Sequence, residues 1–214
     1  MDLPSTIPIF PLPNVVLFPG VPLPLHIFEP RYRDMVRDAS NAHEIIGMAL
    51  LRGDWRKDYE GNPDIFEVGC AGKLVNVEPL PDGRFNILLH GVREFTIRRH
   101  IFDRSYRQGE VTWRTGGHAS IGDAARATLS RLLTHLLKAE HGSPAHRLLQ
   151  DRSLSDDVLV NFFSFALEIE PLEKQGLLQA DTLLARAQRL IEIIEFHLEE
   201  SRLTMGRPGS GRCH

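Results

Sequence analysis

With 214 residues, the chain is long enough to bury one large hydrophobic core or two smaller ones. Its net charge is −3 and is divided evenly along the sequence, so it lacks the strongly basic surface that sequence-independent nucleic-acid binding requires. The 42% share of hydrophobic residues is ordinary for a globular protein, and no apolar run reaches the roughly 18 residues of a membrane helix.

The amino terminus and the cysteines indicate the cellular compartment. Residues 1–14 lack the basic and apolar regions of a signal peptide. Cys70 falls in a predicted strand and Cys213 in a tail rich in Gly, Pro, Ser and Arg, so a structural disulfide is not expected. These features predict a cytoplasmic protein with no membrane attachment.

Residues 7–39 form an apolar, proline-rich segment around which the rest of the chain is organised. Because proline cannot donate a ladder hydrogen bond, the segment is expected to be strand only at sheet edges, strand ends or bulges. Phe18 to Val21 (FPGV) predicts a type II turn, since proline is second and glycine third. Pro30 then opens a short helix. One face of this helix is predicted to be apolar: Tyr32, Met35, Val36 and Ala39.

The next part of the chain has the period-two pattern of strands. Strands are predicted at 45–51, 66–77, 85–97 and 110–113. Gly72 and Gly91 interrupt the alternation and predict bulges, which favour a coiled sheet that closes on itself. Residues 1–115 are therefore predicted to form a β pseudo-barrel of about six strands with one helix.

At residues 115–118 (TGGH) the hydrophobic period changes from two to nearly four, which predicts a domain boundary. Ser120 and Asp123 predict a capping box at the start of a helix that Gly142 ends.

Further helices are expected downstream: from Ser153 or Ser155, over 172–179, and from a cap at Asp181. Residues 116–204 are predicted to form a helical bundle, followed by a flexible tail over 205–214.

Two sequence motifs resemble the Lon protease amino-terminal domain, a family of substrate-recognition modules that also occurs in stand-alone bacterial proteins and, more distantly, in cereblon. The first is LPNVVLFPGVPLPLHIFEPRY at residues 12–32, and the second is the run EVG, LPDG and GVREF within residues 67–95. The resemblance extends over nearly the whole chain. It implies an α+β fold with a PUA-like pseudo-barrel followed by helices.

The sequence shows no motif for catalysis. Full-length Lon proteases act through an ATPase module and a serine–lysine protease module, and neither is present in this sequence. There is no GxxxxGK[ST] loop and no GxSxG elbow. The ten histidines show none of the HExxH or CxxC spacings of metal sites. We therefore expect no catalytic residue, no metal and no other cofactor.

Aromatic residues are the candidates for partner binding. Trp55 and Tyr59 are the large apolar groups of a polar loop over 52–64, where they either cover the core or anchor a partner. Phe162, Phe163 and Phe165 make a predicted helix apolar over more than half its circumference, so they are either buried on two sides or line a groove for peptide.

Four polar residues form a predicted structural cluster. Glu29, Arg31 and Arg93 are expected to tie the first helix to the GVREF strand, and His26 is expected to bond to the backbone or to Glu29.

The resemblance implies a non-enzymatic module that binds unfolded or hydrophobic polypeptide segments and serves a proteolytic machine. One alternative is an ATP-independent hydrolase with an unrecognised site. Another is a PUA-like domain that binds RNA or a small molecule, with RNA the weaker case because the arginines form no basic stripe. Self-association stays open.

Overall fold

A computed structural model describes residues 3–58, 61–115, 120–151 and 153–205. The strands in these ranges are β1 Thr6–Leu12, β2 Pro22–Ile27, β3 Ile45–Leu50, β4 Val68–Pro79, β5 Phe85–Ile101 and β6 Gln108–Trp113. The helices are α1 Pro30–Ser40, α2 Asp123–Leu136, α3 Pro144–Gln150, α4 Asp156–Ala166, α5 Pro171–Leu178 and α6 Leu183–Met205. The predicted α+β class is confirmed.

The described residues form two compact units. One contains the residues up to 115 together with 161–179, and the other contains 120–160 and the residues from 180 onward. The predicted boundary between 115 and 116 adjoins residues 116–119, which lie outside the described ranges, and it stays a prediction. The predicted tail over 205–214 also lies outside them, apart from Met205 at the end of α6.

Five strands of the first unit close into a barrel. The sheet order is β2-β5-β4-β3-β1-β6, and β5 also pairs with β6. The path from β5 through β4, β3, β1 and β6 therefore returns to β5, which is 17 residues long and reaches all its neighbours. β2 pairs antiparallel with the first part of β5 and remains an edge strand. The predicted pseudo-barrel is confirmed.

The prolines of the opening segment lie where strands lack a neighbour. Pro8 belongs to the part of β1 that pairs with β6, and Pro11 to the part that pairs with β3. Each half of β1 thus has one main ladder partner, so a missing N–H is tolerated on the other side. Pro22 and Pro24 lie in the edge strand β2, where prolines also discourage pairing with foreign strands.

The predicted turn between β1 and β2 attaches to the middle of β5. The Val21 N–H donates to the Phe18 carbonyl at 3.2 Å, and Gly20 has a φ of 79°, as a type II turn requires. The Gly20 N–H donates to the Gly91 carbonyl at 2.8 Å, and the Gly91 N–H donates to the Val21 carbonyl at 2.9 Å. Gly91 and Gly72 are ladder partners beside a register shift whose extra residue, Val92, belongs to β5, so the bulge predicted at Gly91 is confirmed. The bulge predicted at Gly72 lies instead at Val75, the extra residue of β4.

Helix α1 buries the predicted apolar face. Its buried residues are Tyr32, Met35, Val36 and Ala39. The Phe10 ring of β1 lies 4.3 Å from the Tyr32 ring, centre to centre, so the helix packs on β1.

Segment 161–179 is attached to the barrel by side-chain bonds to backbone carbonyls. The Asn161 amide donates to the Pro19 carbonyl at 3.1 Å, and the Gln175 amide donates to the Val68 carbonyl at 2.9 Å. The hydrophobic period alone predicts this segment to belong with the helical bundle, whereas its contacts group it with the strands. The bonds of Asn161 and Gln175 agree with this grouping, and sequence periodicity gives no signal for them.

The start of α2 differs from the predicted capping box. Ser120 Oγ donates to Asp156 of α4 at 3.1 Å, and the helix begins after Gly122, at a φ of 80°. At α6 the capping oxygen is Thr182 Oγ1, which accepts from the Ala185 N–H at 3.1 Å, whereas Asp181 was the predicted cap. Helix α3 was not predicted, since its seven residues are too few for a clear period.

Asp156 forms a partly buried ion pair with Arg126 within the second unit. Burial alone would raise its pKa, but the Ile121 N–H at 2.9 Å, the Arg126 guanidinium and the Ser120 hydroxyl stabilise the carboxylate and lower the pKa below its usual range. Asp156 therefore stabilises the fold above the usual carboxyl pKa, and this stability is lost as the pH falls through the lowered value.

We expect Asp156→Asn to lower the free energy of unfolding at pH 7 by about 2 kcal/mol, because Arg126 would keep its charge without a carboxylate. Urea titrations at several pH values measure the difference, which should shrink as the pH falls below about 4. The control Asp123→Asn makes the same chemical change at an exposed position and should have little effect. An equal loss in both variants, or a difference independent of pH, would contradict this role.

Candidate functional site

Trp55 packs on the barrel. It lies in the short 3-10 turn Trp55–Asp58, is half-buried, and contacts the core cluster of the first unit. The Arg56 guanidinium lies 4.7 Å above its ring. Tyr59, the other aromatic residue of the predicted loop, lies outside the described residues. A role for these two residues in binding a partner stays a prediction.

The three phenylalanines of α4 have different exposures. Phe163 is 5% exposed and Phe165 is half-buried, whereas Phe162 is 43% exposed. The Phe162 and Phe163 rings meet edge to face with centres 5.2 Å apart. Phe163 thus supports Phe162, and Phe162 presents most of the aromatic surface of the three to solvent.

Lys174 of α5 fixes the end of α4. Its ammonium donates to the Phe165 carbonyl at 2.6 Å and lies 5.6 Å from the Phe165 ring centre. Burial lowers the pKa of Lys174, against a smaller opposing effect of Glu168. Leu172, at the start of α5, is 67% exposed. The hairpin of α4 and α5, which the Lys174 bond holds together, therefore exposes Phe162 and Leu172 to solvent.

The predicted polar cluster is divided into separate groups. Glu29 and Arg31 form an ion pair at 3.0 Å at the start of α1. Arg93 is exposed on β5, opposite Ala71, and the described contacts do not join it to that pair.

His26 belongs to a relay of hydrogen bonds between β2 and β5. Arg84 donates to His26 Nε2 at 3.2 Å, which places the ring proton on Nδ1, and Nδ1 donates to Asn86 Oδ1 at 2.8 Å. The Asn86 amide donates to Glu78 of β4 at 3.1 Å. This relay, rather than a bond to Glu29, is the described environment of His26, and it connects three strands on an exposed face.

A cleft of about 180 Å³ opens beside α1, within the first unit. Its walls are Pro11, Arg31, Tyr32, Gly61, Asn62, Pro63, Phe102, Arg104, Ser105, Tyr106 and Arg107. Among these described residues are three arginines and three aromatic residues, and none of them is an aspartate or a glutamate. We name it the arginine cleft.

Arg107 is the most buried charge of the arginine cleft, with 8% of its surface exposed. Its Nη2 donates to the Pro63 carbonyl at 2.8 Å, and its guanidinium lies 5.3 Å from the Phe102 ring centre. Burial lowers the pKa of Arg107, and the opposing effects of Tyr32, Glu67 and Asp64 partly offset this lowering. Arg107 could not be identified from the sequence, because it stands in no motif and the lining of the cleft comes from four segments that are distant along the chain.

The described residues contain no candidate metal site and no candidate membrane-spanning helix. No group of three or more His, Cys, Asp or Glu side chains in that part of the chain could hold a metal ion. No helix among the described residues is both long and apolar enough to span a bilayer.

Comparisons with known proteins agree with the fold. The Lon protease of Cytophaga hutchinsonii is 27% identical over 199 residues, which are 91% of this chain and 24% of that protein. The Lon protease of Roseiflexus castenholzii is 30% identical over 216 residues, covering 96% of this chain and 26% of that protein. The chain thus spans about a quarter of the length of these relatives.

Solved structures show the same fold. A Lon N-terminal domain protein from Xanthomonas campestris matches with a TM-score of 0.66 at 24% identity, covering 88% of this chain and 98% of that one. The N-terminal domain of the Mycobacterium avium complex Lon protease matches with a TM-score of 0.71 at 18% identity, covering 90% and 99%. The model of one family, the ATP-dependent protease La (LON) substrate-binding domain, matches residues 6–195. The motifs, the closed barrel and this match together place the chain in the family of Lon substrate-binding domains.

Proposed function

We propose that this chain binds unfolded or hydrophobic polypeptide segments and performs no catalysis itself. The observation that carries the proposal is the match of residues 6–195 to a family described as a substrate-binding domain. The curated relatives are Lon proteases, so the bound polypeptides would be clients of a proteolytic machine.

The α4–α5 hairpin supports binding of apolar segments. Phe162 and Leu172 are both exposed, and both belong to segment 161–179 of the first unit. Exposed aromatic and aliphatic side chains on a rigid support lose little conformational entropy when a partner covers them. Asn161, Gln175 and Lys174 supply that rigidity through their bonds to backbone carbonyls.

The edge strand β2 contributes less to this function. Pro22 and Pro24 remove two of the backbone donors that an added strand would need. Binding through side chains of the hairpin is therefore favoured over extension of the sheet at β2.

We expect Phe162→Asp to weaken binding of unfolded casein by about tenfold, because it places a charge on the apolar surface that would contact the client. Fluorescence anisotropy with labelled casein measures the affinity, and circular dichroism checks that the melting temperature is unchanged. Phe163 is a poor position for this test, since a charge at a buried site would destabilise the fold.

The matched control is Phe196→Asp in α6, which makes the same change at a more exposed phenylalanine of the second unit. It should leave casein binding unchanged. Equal affinity of Phe162→Asp and wild type would remove the hairpin from the binding surface, and absence of casein binding by the wild type would overturn the proposed function.

A further inference from the structure

Arg107 carries a buried positive charge that no described carboxylate neutralises. The one described hydrogen bond of its side chain goes to the Pro63 carbonyl, and its guanidinium also lies near the Phe102 ring. A guanidinium has five N–H donors, so most of its donor capacity is left for another acceptor. Burying a charge without a counter-ion is costly, and such groups are enriched at binding sites.

The other two arginines of the cleft have acidic partners. Arg31 pairs with Glu29 at 3.0 Å, and Arg104 pairs with Asp38 at 2.6 Å. The Tyr106 hydroxyl donates to the same Asp38 at 2.7 Å, and burial together with this bond raises the pKa of Tyr106 to about 12. Tyr106 is therefore neutral at physiological pH. Among the three arginines of the cleft, Arg107 is the one for which no ion pair is described.

The size and walls of the cleft limit what can enter. Its volume of about 180 Å³ is that of a small-molecule-sized cleft. Tyr32, Phe102 and Tyr106 supply aromatic walls around the arginines. One carboxylate with the short apolar group that carries it fits this volume, whereas a folded partner does not.

A polyanion is disfavoured by the charges beside the cleft. Asp34 and Asp38 line the adjoining depression together with Arg37 and Arg104. The chain as a whole has a net charge of −3. A nucleic-acid backbone that placed one phosphate at Arg107 would find no further unpaired arginine among the residues of this depression, because Arg37 pairs with Asp34 and Arg104 pairs with Asp38.

We propose that the arginine cleft binds a carboxylate of a polypeptide client, with the Arg107 guanidinium as its ion-pair partner. This inference rests on the proposed function for the polypeptide nature of the ligand. The planar guanidinium matches a carboxylate through two parallel hydrogen bonds. A peptide can supply that group from its carboxyl terminus or from the side chain of Asp or Glu. Capture of a C-terminal carboxylate is a known mode of peptide recognition.

The experiment compares three labelled octapeptides of otherwise identical apolar sequence, using the full chain and fluorescence anisotropy. One has a free carboxyl terminus, one has an amidated terminus, and one is amidated but carries an internal Glu. We expect the first or the third to bind about tenfold more tightly than the second, and the preference between them identifies the source of the carboxylate. Equal binding of all three overturns the proposal.

The variant Arg107→Met removes the charge at similar side-chain volume and should abolish the preference for the carboxylate. The control Arg98→Met removes an exposed arginine of β5 that lies outside the cleft and should preserve it. A preference that survives Arg107→Met overturns the proposal.

A measurement on the wild type keeps the test decisive if Arg107→Met does not fold. Acetate should displace the carboxylate peptide, whereas chloride at equal ionic strength should displace it less. Equal displacement by the two salts overturns the proposal. So does displacement of the peptide by a single-stranded oligonucleotide whose binding depends more strongly on salt than that of the peptide. Casein binding is measured separately, so loss of the proposed function and loss of carboxylate preference give different results.

Discussion

Replacing Phe95 by alanine is expected to lower the free energy of unfolding by about 3–5 kcal/mol. Phe95 of β5 is fully buried at the centre of the barrel cluster, and its ring meets the Trp113 ring edge to face with centres 6.3 Å apart. Truncation would leave a cavity that a closed barrel cannot collapse to fill, since the strands on every side are held by ladder hydrogen bonds. Urea unfolding followed by circular dichroism measures the loss.

The strands around Phe95 are shaped to its ring, which allows a sharper test. A methyl group added at Gly47 of β3 would lie 2.9 Å from two Phe95 ring carbons and 2.8 Å from Ile7 Cδ1. Gly47→Ala alone should therefore cost about 1–3 kcal/mol through overpacking. In the Phe95→Ala background the same methyl group would enter the cavity, so its cost should fall.

A double-mutant cycle measures this coupling. The two changes together should cost less than the sum of the single changes. The control cycle pairs Phe95→Ala with Gly53→Ala, where an added methyl group meets no atom within 4 Å. Additive losses in the Gly47 cycle would show that Phe95 does not determine the need for glycine at that position.

Local features of the fold could be predicted from the sequence because short-range chemistry determines them. The turn at Phe18–Val21 follows from proline and glycine at fixed positions, and the buried face of α1 follows from helical spacing. In β5 the alternation that predicted a strand has its buried positions at Ile87 and Leu89. Each of these signals lies within a few residues.

Long-range pairing left no such local signal. The parallel ladder between β1 and β3 joins segments separated by α1, and the circuit that closes the barrel depends on β5 being long enough to meet β6. Ser120 illustrates the same limit, because its sequence context fits a local cap while its hydroxyl donates to Asp156. The same hydroxyl oxygen accepts from the Gly122 N–H at 3.1 Å, but no described side chain caps α2. Spacing along the chain does not show the bond to the distant carboxylate.

The candidate site was only partly predictable for a related reason. Phe162, Phe163 and Phe165 are nearly consecutive, so the helix directs them to different sides, and a helix that is apolar around most of its circumference does not reveal which side is exposed. The structure exposes Phe162 and buries Phe163. Arg107 could not be found at all, since one arginine in a polar segment is usually a solvated surface residue.

The FPGV turn packs so closely on β5 that a side chain at Gly91 is expected to cause the second large loss of folding stability. A Cβ atom at this position would overlap the Phe18 carbonyl oxygen and lie 2.9 Å from the Phe18 carbonyl carbon. These are backbone atoms, so no side-chain rotation can relieve the overlap. The turn would have to move away and would strain both hydrogen bonds between Gly91 and the turn residues Gly20 and Val21.

We therefore expect Gly91→Ala to lower the free energy of unfolding by about 3 kcal/mol, and the melting temperature by about 6–12 °C. Differential scanning calorimetry measures both changes. The control His90→Ala introduces the same residue at the preceding, exposed position of β5 and should be nearly neutral. If Gly91→Ala is as stable as His90→Ala, the turn can shift without loss, and its docking on β5 does not hold the opening segment in place.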